Sequence, residues 1–171
     1  RYREAHVIPG TKELLVLSSE SGELEWWRVP ANGTGGGERL TTDGKVMRWS
    51  AAVSPNGKLA IHSDKDNQLW ILNLESKENK LITRTEFPAS NSFAAFRGYR
   101  WSPDSRYVLY ETPAKNDFVQ LWLYGVEDSS LRALTTDRYN SGDAAWSEDG
   151  KWIYMISDRA LRSTVFAPWG A

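Results

Sequence analysis

The sequence predicts an all-β fold assembled from a repeated four-stranded unit, and three observations support this prediction. A short turn signature recurs four times along the 171 residues, and its third positions are Pro9, Pro55, Pro103 and Glu148. These positions are 46, 48 and 45 residues apart. Short apolar segments rich in β-branched and aromatic residues fill the intervals, separated by Asn, Asp, Gly and Pro. A period of about 40–50 residues with four strands per unit is typical of a β-propeller blade.

The strands follow the turns in order along the chain. In the first unit we predict strands at 3–7, 14–18, 24–29 and 39–42, and in the second at 48–53, 59–63, 68–74 and 80–83. The third unit predicts strands at 97–101, 107–112, 119–126 and 131–135, and the fourth at 143–146, 152–157 and 161–166. The chain 1–171 is therefore expected to be a partial propeller of about three and a half blades, at 1–43, 44–85, 93–137 and 141–171, the last incomplete.

Composition narrows the classes of function. The chain is 40% hydrophobic and 25% charged, with a formal net charge of −1. This net charge gives no sign of the clustered basic surface that nucleic acids and anionic membranes require. No apolar run approaches the roughly 20 residues of a membrane span. Cysteine is absent, which excludes disulfides and thiolate metal sites. We expect no cofactor and no metal. The chain opens at Arg1 rather than Met, and its natural start is expected to lie upstream.

Catalytic motifs are missing from the sequence. The only histidines are His6 and His62, and no Gly-x-Ser-x-Gly elbow occurs. His62 takes the repeat position of the apolar strand residues Val16, Tyr110 and Met155, which predicts a packed side chain. The glycine-rich run at 33–37 precedes a strand instead of a helix, so it is predicted to be a hairpin loop and not a phosphate loop.

Two other features are interpreted as structural. The acidic stretch 64–67 lacks the Gly and the distal Glu of a calcium loop, so it is predicted to be a solvated hairpin. Trp101 and Trp146 share one repeat position, and Trp70 and Trp122 share another, which predicts packing between blades. In the pair Trp26–Trp27 the side chains face opposite sides of a strand, and one is expected to be the more exposed.

The first strand of each blade lines the central channel of a propeller. Charged residues stand at or near the start of these predicted strands, namely Arg3, Arg48, Arg97 and Asp143. Arginine binds carboxylates through two parallel hydrogen bonds. We therefore predict a channel rim that holds a peptide carboxylate, with ordinary solvated charge at the strand ends as the alternative.

Two phrases resemble a known group of proteins. The first is Trp-Ser-Pro-Asp-x-Arg-Tyr-Val-Leu-Tyr at 101–110, with Leu-Trp-Leu-Tyr at 121–124 and Leu-Thr-Thr-Asp at 134–137. It resembles the propeller repeat shared by TolB, the tricorn peptidases and the prolyl-oligopeptidase group. The second comprises Thr-Asp-Arg-Tyr-Asn at 136–140, Ala-Trp-Ser-Glu-Asp-Gly-Lys-Trp-Ile-Tyr at 145–154, and the segments 157–159, 161–163 and 167–170. It resembles bacterial homologues of the tricorn protease, in the propeller that precedes their peptidase region.

The resemblance implies a segment that is not itself an enzyme, within a multidomain serine peptidase that degrades short peptides. Such propellers are thought to filter or admit peptides, so the implied partners are peptide substrates and the remaining blades and peptidase domains of an oligomeric parent protein. The implied compartment is the cytoplasm, with the periplasm as the alternative. A TolB-like propeller that binds a protein, or the propeller of a prolyl-oligopeptidase-type enzyme, would account for the same repeat.

Overall fold

The computed structural model describes residues 2–43, 46–86 and 94–159, and these form strands and turns without any α-helix. The strands, in chain order, are β1 (Tyr2–Val7), β2 (Glu13–Ser18), β3 (Glu25–Pro30), β4 (Glu38–Arg39), β5 (Arg48–Val53), β6 (Leu59–Asp64), β7 (Gln68–Asn73), β8 (Asn79–Arg84), β9 (Arg97–Trp101), β10 (Tyr107–Pro113), β11 (Val119–Gly125), β12 (Leu131–Ala133), β13 (Ser141–Trp146) and β14 (Ile153–Ser157). The strand predicted at 161–166 lies outside the described residues.

Each repeat unit folds into its own antiparallel sheet. Strands β1–β4, β5–β8 and β9–β12 form three four-stranded meanders, and β13 pairs with β14. The first strand of each sheet contacts the first strand of the next, β1 with β5, β5 with β9 and β9 with β13. The sheets therefore follow one another as blades around a common axis, which confirms the prediction of a partial β-propeller. We call them blades 1 to 4, and their first strands the inner strands.

The recurring turn has the same hydrogen bonds in three blades. The serine hydroxyl of Ser54, Ser102 and Ser147 donates to the side chain two residues later, at 2.8, 2.6 and 2.7 Å. Each hydroxyl also accepts from the backbone N–H five residues later, at 2.9–3.0 Å. Asn and Asp suit this position because their side chains bond to nearby backbone N–H groups. The turn signature thus specifies the connection between the first two strands of blades 2, 3 and 4.

The hydrophobic cores lie between blades. The first core joins Leu15, Leu17 and Trp26 of blade 1 to Ala60 and Leu72 of blade 2. A second joins blade 2 to blade 3, and a third joins Leu109 and Leu121 of blade 3 to Ala144 of blade 4. Each blade is therefore stabilised by its neighbours, as expected for a stacked repeat.

The repeated tryptophans join successive inner strands. The indole Nε1 of Trp101 donates to the carbonyl of Ala52 at 2.9 Å, and Trp146 donates to the carbonyl of Arg100 at 3.1 Å. These carbonyls occupy equivalent positions in blades 2 and 3. The prediction that this tryptophan position serves blade-to-blade packing is confirmed. Of the adjacent pair in β3, Trp26 is fully buried and Trp27 is half-buried.

Two outer strands are shorter than predicted. The strand predicted at 39–42 is only β4, and the strand predicted at 131–135 is only β12. In both blades a threonine hydroxyl, and not a backbone carbonyl, accepts from an N–H group of the third strand. Thr41 Oγ1 accepts from Trp26 N at 2.9 Å, and Thr135 Oγ1 accepts from Leu121 N at 3.0 Å. The repeated Leu-Thr-Thr segment therefore ends the backbone ladder early.

Apolar side chains are exposed on the first and last described blades. Tyr2 and Val7 of blade 1 are 62% and 67% exposed, and Tyr154 and Ile156 of blade 4 are 62% and 65% exposed. The equivalent faces between blades are covered by the cores described above. None of the described segments is a helix long and apolar enough to cross a bilayer.

Candidate functional site

All four inner strands begin on the same face of the propeller, which we call the strand-start face. The second strand of each blade ends at this face because it runs antiparallel to the first. Each inner strand also carries a β-bulge near its start, opposite the end of the second strand. A bulge twists the strand and redirects side chains at the edge of a sheet. The predicted rim residues lie in or beside these bulges.

Arg3 and Arg48 occupy different environments. Arg3 is exposed on β1. Arg48 is 2% exposed, and its guanidinium pairs with Glu25 of blade 1 at 3.1 Å and also with Asp43. The side chain of Glu25 is 1% exposed and also accepts from Thr41 Oγ1. Arg48 therefore joins blades 1 and 2 through an internal ion pair, and its guanidinium does not face solvent as a carboxylate ligand would require.

Arg97 and Asp143 come together in a cleft between blades 3 and 4. This rim cleft has a volume of about 470 Å³ and opens on the strand-start face. The side chain of Arg97 is 46% exposed, and Asp143 is exposed. Asn140 and Asp158 also line the cleft. A cation and several hydrogen-bonding groups at an open cleft can hold a polar chain end or a backbone segment.

Glu111 organises the rim cleft, and it was not among the site residues predicted from the sequence. Its carboxylate contacts Arg97 Nε at 3.3 Å and accepts from the backbone N–H of Asp143 at 2.7 Å. A Cβ added at Gly98 or at Gly142 would approach this carboxylate to 2.8–2.9 Å. One carboxylate thus fits between the bulges of two inner strands. In the sequence, the sign of this role is that Glu111 is a charged residue within the apolar run of β10. Blade 1 has Leu17 at the equivalent position.

Both loop motifs are hairpins, as predicted, but Asp64 at the start of the 64–67 stretch is 2% exposed, so the prediction that this stretch is solvated is wrong for Asp64. The carboxylate of Asp64 accepts from the backbone N–H groups of Asp66 and Gln68 at 2.9 and 3.1 Å, and from Trp70 Nε1 at 2.7 Å. This carboxylate stabilises a hairpin. The glycine-rich run at 33–37 connects β3 to β4, again as a hairpin. Among the described residues no group of three His, Asp or Glu side chains converges as a metal site would require.

His62 is not placed for acid–base chemistry on a peptide, because it lies in the interior. His62 is 0% exposed, and its Nε2 lies 2.9 Å from Asn79 Oδ1. Burial, assisted by the positive charge of Arg48, lowers the pKa of His62 to about 3. His6 Nε2 lies 2.6 Å from Glu4 Oε1 on the same strand. The prediction of a packed His62 is confirmed.

Comparison with known proteins relates the chain to tricorn-type proteins. No model of a protein family matches it. It is 21% identical over 164 residues to the Tricorn protease homolog of Saccharolobus solfataricus, covering 96% of this chain and 14% of that protein. It is 24% identical over 159 residues to Tricorn protease homolog 1 of Streptomyces coelicolor, covering 90% and 14%. The chain spans less than a fifth of the length of such relatives.

Two solved structures share the fold. The tricorn protease superposes with a TM-score of 0.81 and 20% identity, covering 95% of this chain and 16% of that one. TolB from Acinetobacter baumannii superposes with a TM-score of 0.63 and 19% identity, covering 91% of this chain and 37% of that one. These likenesses support the tricorn and TolB type of propeller that the repeat phrases indicated.

Proposed function

We propose that this chain, a β-propeller region of tricorn and TolB type, is a non-catalytic part of a larger serine-type peptidase. In this proposal the strand-start face admits and orients peptide substrates, and the exposed faces of blades 1 and 4 pack against other parts of the parent protein. The parent is oligomeric and acts in the cytoplasm, with the periplasm as the alternative. Cell fractionation with a periplasmic marker distinguishes the two compartments.

The rim cleft is the observation that carries this proposal. Arg97 places a half-exposed cation at the start of an inner strand, and Glu111 fixes its position through an ion pair. A peptide presents a terminal carboxylate, a terminal ammonium and backbone amides. Arg97, Asp143 and Asn140 offer complementary groups for these at one open cleft. The described residues offer binding groups here but no nucleophile paired with a base.

The test replaces Arg97 by Gln in the full-length parent protein. We expect KM for peptides with a free C-terminal carboxylate to rise several-fold, because one charge-assisted contact is lost. The kcat should change little, since the residue lies outside the reacting groups. The matched control is Arg106→Gln. Arg106 is also exposed, but it lies in the turn at the opposite end of its blade, where its ion pair with Glu127 is solvated.

Two results would contradict the proposal. An unchanged KM for Arg97→Gln would exclude the rim cleft from substrate access. Peptide hydrolysis by the isolated 171-residue chain, surviving repurification, would contradict its non-catalytic role. The 171 residues should instead show no turnover of any peptide.

The likeness to TolB favours a second candidate, a propeller that docks a protein partner. This alternative predicts that the full-length protein lacks peptidase activity. Hydrolysis of peptides by the purified full-length protein would favour the peptidase over the docking propeller. In the same assay, cleavage specific to proline-containing peptides would identify a prolyl-oligopeptidase-type parent.

A further inference from the structure

A second cleft separates blade 2 from blade 3 toward the outside of the propeller. This aromatic cleft has a volume of about 330 Å³, close to the lower limit of about 300 Å³ for small-molecule sites. Phe96, Tyr110 and Trp122 form its apolar wall. The Tyr110 and Trp122 rings stack with their centroids 6.5 Å apart, and Phe96 meets Tyr110 edge-on at 5.8 Å.

Two buried polar groups on this wall have no hydrogen-bond partner among the described residues. They are the indole Nε1 of Trp122 and the hydroxyl Oγ1 of Thr112. Thr112 is 9% exposed, and both residues line the aromatic cleft. An unpartnered buried donor lowers stability, and an acceptor that reaches it recovers the lost interaction.

The neighbouring blade shows which acceptor this position takes. Trp70 pairs with His62 across the strands as Trp122 pairs with Tyr110, so the two tryptophans are equivalent. Trp70 Nε1 donates to Asp64 Oδ2 at 2.7 Å. Thr112 takes the place of Asp64, since each lies nine residues after the proline of its turn.

Blade 3 therefore keeps the donor but lacks the carboxylate that blade 2 supplies from its own chain. Trp27, the equivalent residue of blade 1, also lacks an acceptor within the described part of the chain. No described blade packs against the face of blade 1 on which Trp27 lies. Only Trp122 combines the unpartnered donor with a walled cleft between two described blades.

The charges at the mouth of the aromatic cleft favour an anion. Arg84 and Lys115 line it, both exposed and neither ion-paired with a described residue. Asp137 is the one acidic side chain among the residues that line this cleft. Two cations, an apolar wall and a buried N–H donor together match an apolar group that carries a carboxylate.

We propose that the aromatic cleft binds a small apolar carboxylate, of the size of the C-terminal residue of a peptide. Its carboxylate occupies the place that Asp64 fills in blade 2, accepting from Trp122 Nε1 and Thr112 Oγ1. Its apolar group lies against Phe96 and Tyr110. The proposal does not depend on the rim cleft, which lies between blades 3 and 4.

The test measures binding of N-acetyl-leucine and of N-acetyl-leucinamide to the full chain by isothermal titration calorimetry. We expect the acid to bind and the amide, which lacks the negative charge, to bind at least about tenfold more weakly. Trp122→Phe keeps an aromatic ring and removes the N–H donor, so it should weaken binding of the acid by a similar factor. Trp70→Phe is the matched control, because its N–H is already bonded to Asp64; it should leave binding unchanged.

Thr112→Asp supplies the missing carboxylate from the chain itself. It should abolish binding of the acid and raise the melting temperature. If this variant does not fold, Trp122→Phe decides the question. The proposal is overturned if neither probe binds at millimolar concentration, if acid and amide bind equally, or if Trp122→Phe binds as the wild type does.

Discussion

Single residues at equivalent repeat positions have acquired different roles. The position of Val16 in blade 1 holds His62 in blade 2 and Tyr110 in blade 3, and all three are buried. His62 is accommodated because Asn79 provides a polar partner. Charged residues near the strand starts also differ, since Arg48 is internal and Arg97 is half-exposed. The environment of each side chain, and not its repeat position alone, decides whether it can meet a ligand.

We expect His62 to make stability depend on pH. Its pKa is about 3 in the folded state, against 6.5 for the unperturbed group, so below pH 6.5 the unfolded chain takes up a proton that the folded chain excludes. Its contribution is therefore fully present above pH 6.5 and is lost as pH falls toward 3. The loss amounts to about 2 kcal/mol by pH 5.

Urea unfolding of the wild type and of His62→Gln at several pH values measures this effect. The wild type should lose stability relative to the variant between pH 6.5 and 5. Parallel curves for the two proteins would show that His62 does not titrate as described.

At the scale of the element, the bulged inner strand sets up the rim cleft. Gly98 and Asp143 occupy the same position, three residues before Trp101 and Trp146, and both have left-handed backbone, with φ of 64° and 49°. Aspartate tolerates this conformation better than most residues. Glu111 then fits between the two bulges. The bulges therefore decide where the charged groups of the cleft lie.

Gly98→Ala should destabilise the protein by about 2–4 kcal/mol. The left-handed backbone costs alanine about 1–2 kcal/mol, and its Cβ would lie 2.8 Å from Glu111 Cδ, which adds a packing cost. Gly35→Ala is the control, because Gly35 has φ of 90° but no atom within 4 Å of the added Cβ. Chemical denaturation measures the free energy of unfolding of both variants. An equal loss of stability in the two would show that contact with Glu111 contributes nothing.

At the scale of the whole molecule, stability comes from the interfaces between blades. The three cores each join two successive blades. A blade with one uncovered face therefore exposes the side chains that would otherwise form such a core. Val7 of blade 1 and Tyr154 of blade 4 are two such side chains, at 67% and 62% exposure. Apolar patches of this kind mark interaction surfaces.

We expect the isolated 171-residue chain to self-associate through these faces. Val7→Lys and Tyr154→Lys should each reduce association, because a lysine resists burial. Leu131→Lys, on an outer strand at 39% exposure, should leave association unchanged. Sedimentation velocity at several concentrations measures the distribution of species. A monodisperse monomer that melts cooperatively would contradict the prediction.

The repeat, the order of the blades and most strand bounds to within one residue could be predicted from the sequence. The reason is that period-two patterning and turn chemistry act over a few neighbouring residues. The strands β5 and β9 were predicted at their observed bounds. Local patterns also identified the 33–37 and 64–67 loops as hairpins, since the same slot holds other loops in other blades.

Which charged side chains reach solvent depends on contacts between strands and blades. Arg48 and Arg97 look alike in sequence, but Glu25 of the preceding blade takes Arg48 into the interior. The partners of Glu111, and the missing acceptor beside Trp122, likewise depend on contacts between strands and blades far apart in the chain. Burial and pairing of charges depend on every element packed around them, and a single strand carries no record of these neighbours.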